Sequence, residues 1–186
     1  MPRIEPLMPE QTTPEAQQVL AAFYRKRGNV PNMFRTFALR PEMMIAASNL
    51  MAAVLTTGTV DLRLKEMVIV RTSQLNGCAY CLSSHSALLR GLGVSQEAID
   101  ALENPGDDRW SAAERAALRY AEQVTKDAKR VGDELWDELK RHFDEGQIIE
   151  ITAATSLFNM FNRFNDALQM EITEPGWPGD APPPSA

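Results

Sequence analysis

Leu62-Arg63-Leu64-Lys65-Glu66-Met67-Val68-Ile69-Val70-Arg71-Thr72-Ser73-Gln74-Leu75-Asn76-Gly77-Cys78-Ala79-Tyr80-Cys81-Leu82-Ser83-Ser84-His85-Ser86-Ala87-Leu88-Leu89-Arg90-Gly91-Leu92 is the stretch that decides the fold. Its first half predicts a helix from about Asp61 to Leu75. At about 100° per residue, Glu66 shares a face with Leu62, Ile69, Val70 and Ser73. Its second half predicts a helix from Cys78 to about Arg90, closed by Gly91-Leu92-Gly93. On that helix Cys81 falls about 60° and His85 about 20° from Cys78, so two thiols and an imidazole share one face. Leu82, Leu89 and Leu92 project to the same side, and Tyr80 nearly opposite. Asn76 and Gly77 are a short link, so the two helices can pack as an αα-hairpin.

Outward from this hairpin the pattern stays helical. Thr13 and Pro14 read as N-cap and first turn of a helix carrying Val19, Leu20 and Phe23. Gly28-Asn29-Val30-Pro31-Asn32 is a break, and a helix from Pro41 to Leu55 follows. Ser95 caps a short helix, Gln96 to Leu102. Asn104-Pro105-Gly106-Asp107-Asp108 is a loop. Three further helices are expected near Ser111–Asp127, Gly132–Phe143 and Gln147–Gln169, and the Phe158–Phe164 cluster reads as core. Met67-Val68-Ile69-Val70 is β-branched but lies inside a longer helical period, and no segment alternates as a strand would. The fold class is all-α, with seven or eight helices. Prolines organise the ends: residues 1–13 form an extended arm, 14–174 one helical domain, and 175–186 a tail with five of the twelve prolines.

Composition bounds the partners. At 186 residues, one domain of about 150 residues is the default. Lys and Arg number 19 against 25 Asp and Glu, a net charge of −6, which argues against nucleic acid as a partner. No apolar run reaches the roughly 20 residues a membrane span needs. The N-terminus lacks a signal core, so a cytoplasmic location is expected. Two cysteines, a single C-x-x-C, do not make a secreted disulfide scaffold.

The cysteine helix carries the chemistry. Both cysteines are expected in its first turn, where unpaired N–H groups and the helix dipole favour an anionic sulfur. Across the hairpin, Glu66 sits in an apolar stripe, where a carboxylate needs a partner. Thiols, imidazole and carboxylate together would make a proton relay around a dithiol. Other readings stay open at this point. The pair could be incidental, Cys78, Cys81, His85 and Glu66 have the ligand types of a zinc site, and Glu66 could bridge to Arg71 or Arg163. No metal or cofactor is expected in the leading reading.

Glu66, then Cys78-Ala79-Tyr80-Cys81, then His85, resembles the motif of the alkylhydroperoxidase D-like (AhpD-like) family of the carboxymuconolactone decarboxylase superfamily. The resemblance is close over residues 60–92 and extends weakly through Asn29-Val30-Pro31-Asn32 and Asn162-Arg163-Phe164-Asn165. It implies an all-α fold, a homo-oligomer, and peroxide reduction by a cysteine pair cycling between dithiol and disulfide. By position, Cys81 would be the peroxidatic thiol, Cys78 the resolving one, and Glu66 and His85 the proton relay. An external dithiol, a thioredoxin-like protein or a lipoyl group, would be the reductant. Tyr80 stands where well-known members carry histidine. The alternatives are a general disulfide oxidoreductase and a non-catalytic redox-sensing or metal-binding module.

Two further expectations come from this sequence itself. Glu150 lies on a stripe with Ala154, Leu157 and Phe161, and Asn162 and Asn165 follow it as Cys78 and Cys81 follow Glu66. Residues 144–169 are therefore a candidate degenerate repeat of the hairpin. Long Met- and Phe-rich helices with proline-rich arms point to a homo-oligomer whose arms wrap a neighbour.

Overall fold

The α-helices are α1 (Pro14–Arg27), α2 (Asn32–Phe37), α3 (Pro41–Thr56), α4 (Leu62–Asn76), α5 (Ala79–Gly91), α6 (Gln96–Asp100), α7 (Ala112–Asp127), α8 (Asp133–Lys140) and α9 (Glu145–Ala167). They are those of a computed structural model that describes residues 1–180 and 182–184. Single 3-10 turns lie at Pro9–Gln11, Ala101–Glu103 and Ala128–Arg130. Among the described residues there is no strand, only an isolated parallel bridge between Asn29 and Gly176. The all-α expectation holds. The extra helix is α2, six residues that follow Pro31 and are too short to register as a period. Within the arm expected to be extended, Pro9–Gln11 makes one turn. None of the described helices is long and apolar enough to cross a membrane.

The chain divides into two compact units. One comprises Met1–Ala53 and the chain from Asn165 onward, the other Val54–Phe164. In the first, Thr13 caps α1 by accepting from the Ala16 amide. Arg35 Nε donates to the Leu7 carbonyl at 2.7 Å, and the Arg3 amide donates to the Leu168 carbonyl at 2.9 Å. In the tail, Trp177 stands edge-on to Tyr24 at 5.6 Å between centroids. Residues 181, 185 and 186 of the expected tail lie outside the described residues.

The second unit is built around α4, whose residues Leu64 to Ser73 are all buried. A helix buried on every side must satisfy its polar groups with protein partners. Lys65 Nζ meets Glu150 Oε2 at 2.8 Å and the carbonyls of Val54 and Thr57 at 2.9 and 2.7 Å. Arg71 pairs with Glu122 at 2.7 Å, and Thr72 and Ser73 hydroxyls donate back to Val68 and Ile69 carbonyls. Glu66 faces α5. Asp61 caps the helix by accepting from the Arg63 amide at 2.9 Å, and Ser111 with Glu114 forms a capping box on α7.

The structure corrects the repeat expected in residues 144–169. The active hairpin turns at Gly77, whereas Glu150 and Asn162 lie on one uninterrupted helix, α9. Leu157-Phe158-Asn159-Met160-Phe161 holds no glycine that could break it. Glu150 instead reaches the loop before α4, where it accepts from the Thr59 and Val60 amides at 2.9 and 3.1 Å. At Gly58 (φ +83°) a β-carbon would overlap that carboxylate.

Three glutamates of this unit gain from being charged. Burial pushes Glu150 up, but the Lys65 ammonium and the Thr59 and Val60 amides outweigh it and hold it low. Burial is likewise outweighed at Glu114 by Arg63 and the Ser111 cap, and at Glu122 by Lys126 and Arg71. A carboxyl depressed in the folded state stabilises above its unfolded value, near 4.5, and that contribution is lost as pH falls through the folded value. The unfolding midpoint should therefore drop on titration from pH 6 towards pH 3. Glu150→Gln should lower it at pH 6 and converge on the parent at acid pH. A midpoint difference that stays constant with pH would remove Glu150 from the account.

Candidate active site

Gly77, at φ +71°, ends α4 in the left-handed conformation that glycine adopts without strain. Its amide donates to the Gln74 carbonyl, and the next amide, that of Cys78, to the Ser73 carbonyl, each at 3.1 Å. This is a Schellman turn, and it passes the chain directly into α5. Cys78 is thus the N-cap of α5, one position outside the helix where the sequence places it, while Cys81 lies within the first turn. Both are thiols, and Cys78 and Cys81 are 0% and 3% exposed.

One turn beyond Cys81, His85 Nδ1 is 2.7 Å from Glu66 Oε2, and both residues are buried. A carboxylate in its ionised form only accepts, so in that form Nδ1 is the donor of this bond and Nε2 is turned away from Glu66. The His85 ring stands edge-on to Phe158, centroids 4.6 Å apart and planes at 83°. Phe158 is held in turn edge-on by Phe161. This wall and the Glu66 carboxylate together orient the imidazole. The hairpin thus brings Glu66 to His85, on the helix of Cys78 and Cys81, from two consecutive elements. Arg71 and Arg163, the other partners considered for Glu66, go to Glu122 and to Asn159. Among the described residues no three His, Cys, Asp or Glu side chains are placed to hold one metal ion.

One helical-projection detail is corrected: Leu92, placed on the thiol face with Leu82 and Leu89, is exposed at 43%. Leu92 follows the last residue of α5, so the helical projection no longer describes it. Sequence reading also passed over Lys65, a lysine inside a ten-residue buried run, and over the role of Phe158 beside His85.

The architecture is the all-helical AhpD-like fold. Residues 41–123 match the Carboxymuconolactone decarboxylase family, and the chain belongs to that family. It is 34% identical over 106 residues to the uncharacterized protein YdfG of Bacillus subtilis, spanning 56% of this chain and 72% of that protein. Among solved structures it is similar to the alkylhydroperoxidase AhpD core of an uncharacterized peroxidase-related protein from Ralstonia eutropha. The TM-score is 0.84 at 27% identity, covering 92% of each chain. It is also similar to the debrominase Bmp8, solved as a cysteine-to-alanine variant in complex with 2,3,4-tribromopyrrole. There the TM-score is 0.80 at 26% identity, covering 91% of this chain and 90% of that one.

Proposed function

We propose that this chain is a thiol-dependent peroxidase of the alkylhydroperoxidase type. The observation that carries the reading is the buried His85–Glu66 hydrogen bond, 2.7 Å long, on the hairpin that bears Cys78 and Cys81. A buried imidazole oriented by a carboxylate through Nδ1 is, in its neutral form, the group a thiol needs to lose its proton. In this scheme His85 takes the Cys81 proton, and the thiolate attacks the peroxide O–O bond. One oxygen stays on sulfur as the sulfenic acid, and the other leaves as an alkoxide that His85 reprotonates. The Cys78 thiol then condenses with the sulfenic acid, releasing water and closing the disulfide. An external dithiol reduces it by exchange and is itself oxidised. Glu66 stabilises the imidazolium that each cycle forms.

Glu66→Gln tests the relay. The amide is nearly isosteric but cannot hold a negative charge against the imidazolium. Oxidation of the reduced protein by an organic hydroperoxide, followed in stopped flow, should slow by at least about tenfold. The thermal midpoint should barely move. Full rate with lost stability would make Glu66 a structural partner of His85 and nothing more.

A second reading rests on the similarity to a debrominase. In it the two thiols give two electrons and two protons to a brominated aromatic: hydrogen replaces bromine on the ring, bromide and a proton leave, and the disulfide closes. Parallel assays with a hydroperoxide and with 2,3,4-tribromopyrrole, each with supplied dithiol, separate the two. Bromide release without hydroperoxide consumption would replace the first reading by the second.

A further inference from the structure

The turn that delivers Cys78 is gripped from outside by α9, where Asn162 bonds to two of its side chains. Asn162 of α9 is fully buried. Its Nδ2 donates to Ser73 Oγ at 3.1 Å, and its Oδ1 accepts from Asn76 Nδ2 at 2.9 Å. The direction of each bond is set by the neighbours. Ser73 Oγ gives its own hydrogen to the Ile69 carbonyl, so towards Asn162 it accepts. Asn76 Nδ2 also donates to Asn159 Oδ1 at 3.0 Å, one turn back on α9. Ser73 and Asn76 are the first and last helical residues of the Schellman turn, and the Ser73 carbonyl holds the Cys78 amide. A single amide thus spans the turn and fixes both of its ends.

We infer that Asn162 is a positioning residue for the dithiol: by locking the Ser73–Asn76 turn it holds Cys78 where a disulfide to Cys81 closes. A disulfide demands Cα atoms about 4.4–6.8 Å apart and a narrow dihedral range. Closing one is easier when one partner's backbone is already fixed than when a loose turn must first be ordered. No proton passes through Asn162 and it touches no reacting atom; its effect is on the closure step and on the stability of the oxidised form. This inference rests on the dithiol reading above, in which Cys78 resolves the sulfenic acid, and not on the identity of the oxidant.

The test is the equilibrium between dithiol and disulfide of the full chain in glutathione redox buffers, with thermal midpoints beside it. Asn162→Ala should reduce the equilibrium constant for disulfide formation by about tenfold, the scale of one buried polar partner lost. Ser73→Ala removes only a hydroxyl from the same clamp and should move the constant in the same direction, so it carries the test if Asn162→Ala folds poorly. If Asn162 acts through Ser73, the double variant should fall short of the product of the two single effects. Thr155→Val, a buried hydroxyl of α9 bonded to its own helix at the Ile151 carbonyl, should lower the midpoint and leave the constant unchanged. Asn162→Ala or Ser73→Ala folding with an unchanged constant would overturn the inference and leave Asn162 a core residue. Because the readout uses glutathione, a parent that forms the disulfide but consumes no peroxide sinks the peroxidase reading alone. A parent that consumes peroxide, with the constant unmoved in the variants, sinks this inference alone. A parent that forms no disulfide between the two thiols sinks both.

Discussion

Cys81→Ser should abolish hydroperoxide consumption, by at least about a thousandfold, while Cys78→Ser should react once and stop. The asymmetry follows from what each sulfur does in the proposed cycle. A serine hydroxyl at position 81 stays protonated at neutral pH and is a poor nucleophile towards oxygen, so the first step is lost outright. With serine at position 78 that first step survives, but nothing condenses with the sulfenic acid. One equivalent of peroxide is consumed and the protein stalls, trapped by a sulfenic-acid reagent. The positions differ in the structure as well. Cys81 lies inside the first turn of α5, one turn from His85, while Cys78 is the N-cap outside it. The opposite pattern, an inert Cys78→Ser and a single-turnover Cys81→Ser, would exchange the two roles. Two inert single variants, or two fully active ones, would leave the peroxidase reading without support.

What the sequence made legible was local. Thr13, Ser95 and Ser111 begin helices because their side chains accept the unpaired amides of the turn that follows. The approach of Glu66 to His85 was legible too, as one of the pairings open to Glu66, because a two-residue link lets consecutive helices pack as a hairpin. What stayed hidden depends on distant segments. Lys65 finds its partner at Glu150, 85 positions along the chain, and no periodicity announces such a pair. Glu150, Asn162 and Asn165 share the spacing of Glu66, Cys78 and Cys81, but spacing alone does not distinguish one long helix from two short ones. The distinguishing signal was the missing turn: Asn76-Gly77 has no counterpart before Asn162. Asn162 itself was noticed for the wrong reason. It stands beside the thiol turn as a clamp and not as a thiol's replacement.

Lys65→Met should destabilise the chain by about 2–3 kcal/mol, below the range for a fully buried ion pair because Glu150 is partly exposed. Lys65 is 1% exposed, and its three ammonium hydrogens meet three acceptors: Glu150 Oε2 and the carbonyls of Val54 and Thr57. Methionine matches the length of the lysine stem, so little cavity is left and the loss is electrostatic. It strands the Glu150 carboxylate with only the Thr59 and Val60 amides, and leaves two carbonyls without this donor. That distribution of losses predicts how the defect is repaired. Adding Glu150→Gln to Lys65→Met removes the stranded charge and should recover part of the loss, even though Glu150→Gln alone is destabilising. Denaturant unfolding of the four proteins gives the cycle. A cost under about 1 kcal/mol for Lys65→Met, or a double variant as unstable as the sum of the singles, would mean the pair contributes nothing beyond packing. The consequence reaches the site, because Lys65 precedes Glu66 on α4 and anchors the start of that helix to the Val54–Val60 segment. Lys65→Met should therefore slow thiol oxidation at temperatures well below its unfolding midpoint, as the frame that aims Glu66 at His85 loosens before the chain unfolds.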